Sequence, residues 1–166
     1  MSDRQYRNNL VELSNSGYEI VSDEPDIRKW KVRSGEGKLL GVVDDLIVDK
    51  QLRKVRYIIL NLEGKPLNLL PRKILIPIGV SQFDDIDDVV ILPNITIEQL
   101  ATLPNYNKGK IRIDEERRIR NIFTAPSARV NYDDRIDDIT DDHFYEHEQF
   151  DDRNYYNSRR QFKKQE

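Results

Sequence analysis

From Tyr18 to Leu92 the apolar residues fall in short runs of valine, isoleucine and leucine, separated by clusters of glycine, proline, aspartate and serine. Runs of that length between turn-forming residues predict strands. They are expected at Trp30–Arg33, Leu39–Asp49, Lys54–Leu62, Lys73–Ile78 and Val89–Leu92. Ser34-Gly35-Glu36-Gly37 offers glycines for a turn between the first two, and Asp49-Lys50-Gln51-Leu52-Arg53 separates the next pair. Consecutive hairpins in a meander are therefore the economical topology. In Lys54–Leu62 one face carries Val55, Tyr57 and Ile59, and the other Ile58, Leu60 and Leu62. A small barrel hides only its inner face, so the outer one must meet a helix, the chain's own termini or a second subunit.

Past the strands, Thr96 and Gln99 stand at capping-box spacing, which starts a short helix at Thr96 that Pro104 stops. A second helix is expected near Asp114: the acidic turn Asp114-Glu115-Glu116 suits a positive helix end, and Ile119, Ile122 and Phe123 form an apolar stripe. Leu10, Val11 and Leu13 suggest a weak helix or an arm packed on the barrel. From Val130 onward aspartate pairs recur among Tyr132, Phe144, Tyr145, Phe150, Tyr155 and Tyr156 while aliphatics nearly vanish. Such a segment buries too little surface to offset its ordering entropy, and is expected to be mobile or to dock in patches. The chain thus divides into an arm (1–17), a mostly β domain (18–106), a linker and helix (107–129) and an acidic, aromatic tail (130–166).

Composition narrows the classes of function. The 166 residues are 37% hydrophobic and 34% charged, with 27 basic against 30 acidic side chains and a formal net charge of −3. That balance disfavours indiscriminate binding to a phosphate backbone. The absence of cysteine removes disulfides, thiolate catalysis and zinc ribbons. Neither a signal-peptide pattern nor a run of ~20 apolar residues is present, so the cytoplasm is the expected setting.

Candidate chemistry is sparse. Asp44, Asp45 and Asp49 are the acidic surface residues most able to hold a proton or a hard cation, although neighbouring strand residues point to opposite faces. Asp84-Asp85-Ile86-Asp87-Asp88 has the acidity of a calcium loop but lacks its glycine and closing glutamate, and reads as a solvated hairpin turn. His143 and His147, at i and i+4 beside Asp142 and Glu146, are weak metal candidates. The Glu146-His147 order fits the inverted zincin pattern, but the tail promises neither an ordered helix nor a further ligand. Arg112, Arg117, Arg118 and Arg120 form the compact basic cluster, with few aromatic partners for bases. No catalytic residues, cofactor or firm metal site are expected, so the chain reads as a non-enzyme.

Taken together, Asp26-Ile27-Arg28-Lys29-Trp30-Lys31-Val32, the glycine-led, acid-ended run Gly37–Asp49, Lys54–Leu60, Arg72–Gly79 and Thr96–Tyr106 resemble, in order, the segments of a PRC-barrel domain. The resemblance covers about half the chain. Lys29 stands where the family commonly has glycine, and Glu63–Pro71 lengthens the loop before the fourth strand. The family includes the cytoplasmic domain of the photosynthetic reaction-centre H subunit, the C-terminal domain of ribosome-maturation factors, and stand-alone bacterial and archaeal proteins. An H subunit would carry a membrane helix and a maturation factor a preceding domain; with Met1–Gly17 alone ahead of the barrel, the stand-alone class fits best. The resemblance implies a small antiparallel β-barrel with short flanking helices and a polar C-terminal extension, docking on protein partners without shared catalytic residues. The expected function is an adaptor or scaffold, homodimeric through Tyr57, Ile58, Ile59, Leu60 and Leu62. Alternatives are a ribosome- or RNA-associated factor and an H-subunit-like accessory of electron and proton transfer.

Overall fold

The computed structural model describes residues 9–20, 25–64, 69–108 and 111–123. Seven strands form one sheet: β1 (Leu10–Glu12), β2 (Lys31–Ser34), β3 (Leu39–Asp49), β4 (Lys54–Leu62), β5 (Arg72–Pro77), β6 (Gln82–Asp84) and β7 (Val89–Leu92). Among the described residues two helices follow, α1 (Ile97–Thr102) and α2 (Ile113–Phe123). The strand order is β5-β4-β3-β2-β7-β6, with β1 also paired to β3. β1 faces Ile47–Asp49 and β2 faces Leu39–Val42, so the two lie end to end along one edge of β3.

The meander is seen from β2 to β5, and β6 and β7 form a further hairpin. These two pieces are joined by a parallel pairing of β2 with β7 that consecutive hairpins do not anticipate. Nor is the expected barrel closed by hydrogen bonds: β5 and β6 are the two ends of the sheet. What joins them is the chain itself, through a 3-10 turn at Ile78–Val80 where Ser81 donates both its N–H and its hydroxyl to the Ile78 carbonyl. The sheet is curled and covalently cornered where a closed barrel would carry a ladder.

Curling needs close backbone approach and local twist. Gly41 sits on the concave side, paired with Val32 and Leu62, and a Cβ there would fall on the Asn61 carbonyl. β3 is bulged at Asp44, since Val43 opposes Leu60 and Asp45 opposes Ile59. Leu40, Val43, Ile58, Leu60, Leu62, Ile74, Ile76, Phe83 and Val90 are buried in the continuous core, with Trp30 edge-on to Phe83 at 6.0 Å.

The opposite side of β4 is also covered by this chain. Tyr57 donates its hydroxyl to Glu116 Oε2 of α2 at 2.6 Å, with both residues fully buried. Ile119 of the same helix and Leu10 and Leu13 of the arm join the core. Arg72 fastens α1 to the sheet, donating to the carbonyls of Leu100, Ala101 and Leu103 and to Asn105 Oδ1 at 2.6–3.1 Å. A guanidinium at those C-terminal carbonyls meets the negative end of the helix. The N-terminus of α1 carries the anticipated capping box between Thr96 and Gln99. Tyr106 closes the arrangement, its hydroxyl donating to Glu12 Oε2 at 2.6 Å and its N–H to the Lys73 carbonyl.

Candidate interaction face

The residues expected to form an interface do not reach the surface. Tyr57, Ile58, Ile59, Leu60 and Leu62 are each at most 1% exposed within a single chain, because β4 is an interior strand with α2 on one side and the curled core on the other. The double-faced apolar pattern of β4 is satisfied internally.

The three acidic candidates are not brought together. Asp44, at the bulge, is half-buried and pairs with Lys73 Nζ at 3.1 Å. Asp45 is buried, correcting its expected surface position; it accepts from the N–H of Leu46 at 2.8 Å and, more distantly, from that of Ser14. Asp49 is also buried: Oδ1 accepts from the N–H groups of Gln51 and Leu52, setting the β3–β4 turn, and Oδ2 faces Arg56 at 3.5 Å. Each carboxylate therefore has its own structural partner and its own location. His143 and His147 lie outside the described residues, and no group of three or more metal-ligating side chains occurs among the described residues.

The arginine cluster is likewise divided. Arg120 is buried, and Arg112 Nε donates to Asp114 Oδ1 at 2.9 Å. The Arg112 guanidinium holds the Asp114 carboxyl below its ordinary value, whereas desolvation pushes Glu115 upward. α2 does not present four free cations to a nucleic acid. In the acidic loop, Asp84 Oδ1 accepts from the N–H groups of Ile86 and Asp87, the solvated turn the pattern anticipated.

What the register does bring together is a row across the convex side of the sheet. Lys73, Asn61, Val42, Lys31, Val89 and Asp84 are successive partners from β5 to β6, and all are exposed or half-buried. A second row on the same side places Arg33 beside Ile91 and Ile91 beside Gln82. These rows floor an open groove of about 480 Å³, lined by Lys31, Arg33, Asp84, Asp87, Val89 and Ile91. Arg33 is steadied over it by donation to the Gly37 carbonyl at 3.0 Å. Across the groove the chemistry changes in order: basic on β2, apolar on β7, acidic on β6 and its turn. A smaller cleft of about 290 Å³, whose lining includes Val80, Leu92, Ile95, Gln99 and Phe123, lies at the end of α2.

Strand alternation could have placed Lys31 with Arg33, and Val89 with Ile91, on common faces. Their adjacency depends on the β2–β7 pairing, which spans more than fifty residues and carries no local signature.

The family model described as PRC-barrel domain matches residues 22–99. This chain contains a PRC-barrel domain. The PRC-barrel match begins ahead of β2 and ends within α1, so the open face lies wholly inside it, whereas β1 and α2 lie outside. No curated protein matched the chain. Among the described residues no helix is long and apolar enough to cross a membrane.

Proposed function

We propose that this protein is a non-enzymatic, cytoplasmic interaction module, an adaptor or scaffold that docks protein partners on the convex face of its PRC-barrel domain. The observation carrying the proposal is the continuous row from Lys73 to Asp84, where half-buried Val42 and Val89 alternate with polar and charged neighbours on a sheet surface that no described element covers. An apolar strip within a polar rim is the usual make-up of a docking surface. The buried placement of Asp45, Asp49, Arg120 and Glu116 supports the same reading, since the chain's most unusual polar groups serve the fold.

The test is comparative capture from native lysate on the immobilised full chain and on a Val89→Thr/Ile91→Thr variant. Threonine preserves the β-branched shape of the strand while removing apolar surface. Proteins retained by the wild type and lost by the variant support docking on this face. Equal retention by both would place recognition elsewhere, and salt-sensitive recovery of RNA alone would replace the reading with a nucleic-acid function.

A further inference from the structure

We propose that the occupant of the β2–β7–β6 face is a second copy of this chain, related by a two-fold axis running parallel to β7. The inference rests on the interaction-module reading and adds the partner and the geometry. It starts from the order of chemistry across the groove. Lys31 and Arg33 project from β2, Val89 and Ile91 from the adjoining strand, and Gln82 and Asp84 from β6, with Asp87 in the turn beyond.

A two-fold interface sets one patch against itself, so the patch must be complementary to its own rotated image. Rotation about an axis parallel to β7 exchanges the two sides of the groove but leaves positions along the strands unchanged. Val89 and Ile91 then meet their own counterparts. Lys31 of each copy comes over Asp84 and Asp87 of the other, and Arg33 over Gln82. The other in-plane axis, perpendicular to β7, would set β2 on β2 and bring four cations together, which like-charge repulsion opposes. The charge order therefore selects one of the two ways of stacking the faces.

The patch is modest. Three strands at ~4.8 Å spacing and about four residues at ~3.3 Å give roughly 190 Å² of projected face per copy. That is well below the ~800 Å² per partner of a standard stable complex, so association should be weak and salt-sensitive.

Sedimentation equilibrium on the purified full chain tests this at up to several hundred micromolar in low salt. The wild type is expected to form dimers. Lys31→Glu/Arg33→Glu, which makes both sides acidic, and Asp84→Asn/Asp87→Lys, which makes both sides basic, should each weaken self-association by about tenfold or more. Asparagine at position 84 retains the acceptor that sets the turn. Circular dichroism of each variant checks that the fold is kept, and an equimolar mixture of the two should recover dimers. A monomeric wild type overturns the proposal, as do two variants that dimerise like the wild type or a mixture that stays monomeric. A monomeric chain that still captures proteins through Val89 and Ile91 would overturn the dimer and leave the adaptor reading standing.

Discussion

The hydrogen bond between Tyr57 and Glu116 joins the centre of the sheet to α2 across 59 residues of sequence, at 2.6 Å and with neither residue exposed. Tyr57→Phe removes the donor and leaves the ring, so little apolar packing changes. Glu116 then remains buried with one donor fewer. Hydrogen bonds to charged groups are worth about 1.5–3 kcal/mol net, and a buried acceptor deprived of its donor loses about 1–3 kcal/mol, so the substitution should cost about 2 kcal/mol. With a urea m-value of about 2 kcal/mol/M for a domain of this size, the unfolding midpoint should fall by roughly 1 M at unchanged slope. A double-mutant cycle with Glu116→Gln should return a coupling of about 1 kcal/mol or more, because the two side chains act through one bond. A midpoint for Tyr57→Phe within about 0.2 M of wild type would refute the claim that this contact fastens α2.

Other sites give further tests. Lys29 holds a left-handed backbone at φ 76°, where glycine is free of the Cβ penalty, so Lys29→Gly should stabilise by about 1 kcal/mol and raise the thermal midpoint; a lower midpoint would contradict this. At Gly41→Ala the new methyl meets the Asn61 backbone, and urea unfolding should show a loss of about 1–3 kcal/mol, against no change if the sheet can spread there. The Arg28 guanidinium holds the Asp26 carboxyl below its ordinary value. Its contribution is therefore complete above the unfolded value and is lost as pH falls through the lower folded one. The pair is largely exposed, so Asp26→Asn should remove only a few tenths of a kcal/mol at neutral pH and slightly flatten the stability profile below about pH 4. An unchanged acid profile would count against the pairing.

Features governed by local sequence were legible. The limits of β3, β4 and β7 follow from β-branched runs ended by turn formers, and the capping box at Thr96 from its spacing to Gln99. The Asp84 turn followed from the acceptor chemistry of aspartate. The departure from glycine at position 29 was visible as an oddity, and the positive φ there is the reason glycine suits that position. Features governed by tertiary pairing were hidden. β1 and β6 have three residues each, too few to establish a period. An apolar strand face carries the same pattern whether its cover is a helix of the same chain or a second subunit. That ambiguity displaced the expected interface onto Tyr57–Leu62. Asp45 was hidden in another way, because the bulge at Asp44 shifts the alternation by one and pairs Asp45 with Ile59, on the side of the sheet that the arm and α2 cover.

The dimensions of the elements explain why an open face remains. α2 has 11 residues and so extends about 16 Å, whereas six strands side by side span roughly 24 Å between the outermost axes before curling. One such helix, laid where Tyr57 binds Glu116, cannot also reach β2, β7 and β6. The chain meets this with composition: beneath α2 the convex residues are Tyr57, Ile59 and Leu75, and away from it they become Asn61, Lys73, Lys31 and Asp84. Val42, Val89 and Ile91 are apolar exceptions within that polar region. With the proposed dimer face, stability and association fall at opposite ends of one sheet. Substitutions at Tyr57 should lower the unfolding midpoint without altering self-association of the folded protein, and substitutions at Lys31 or Asp87 should do the reverse. Coupled losses at both ends would mean that α2 and the open face act as one unit.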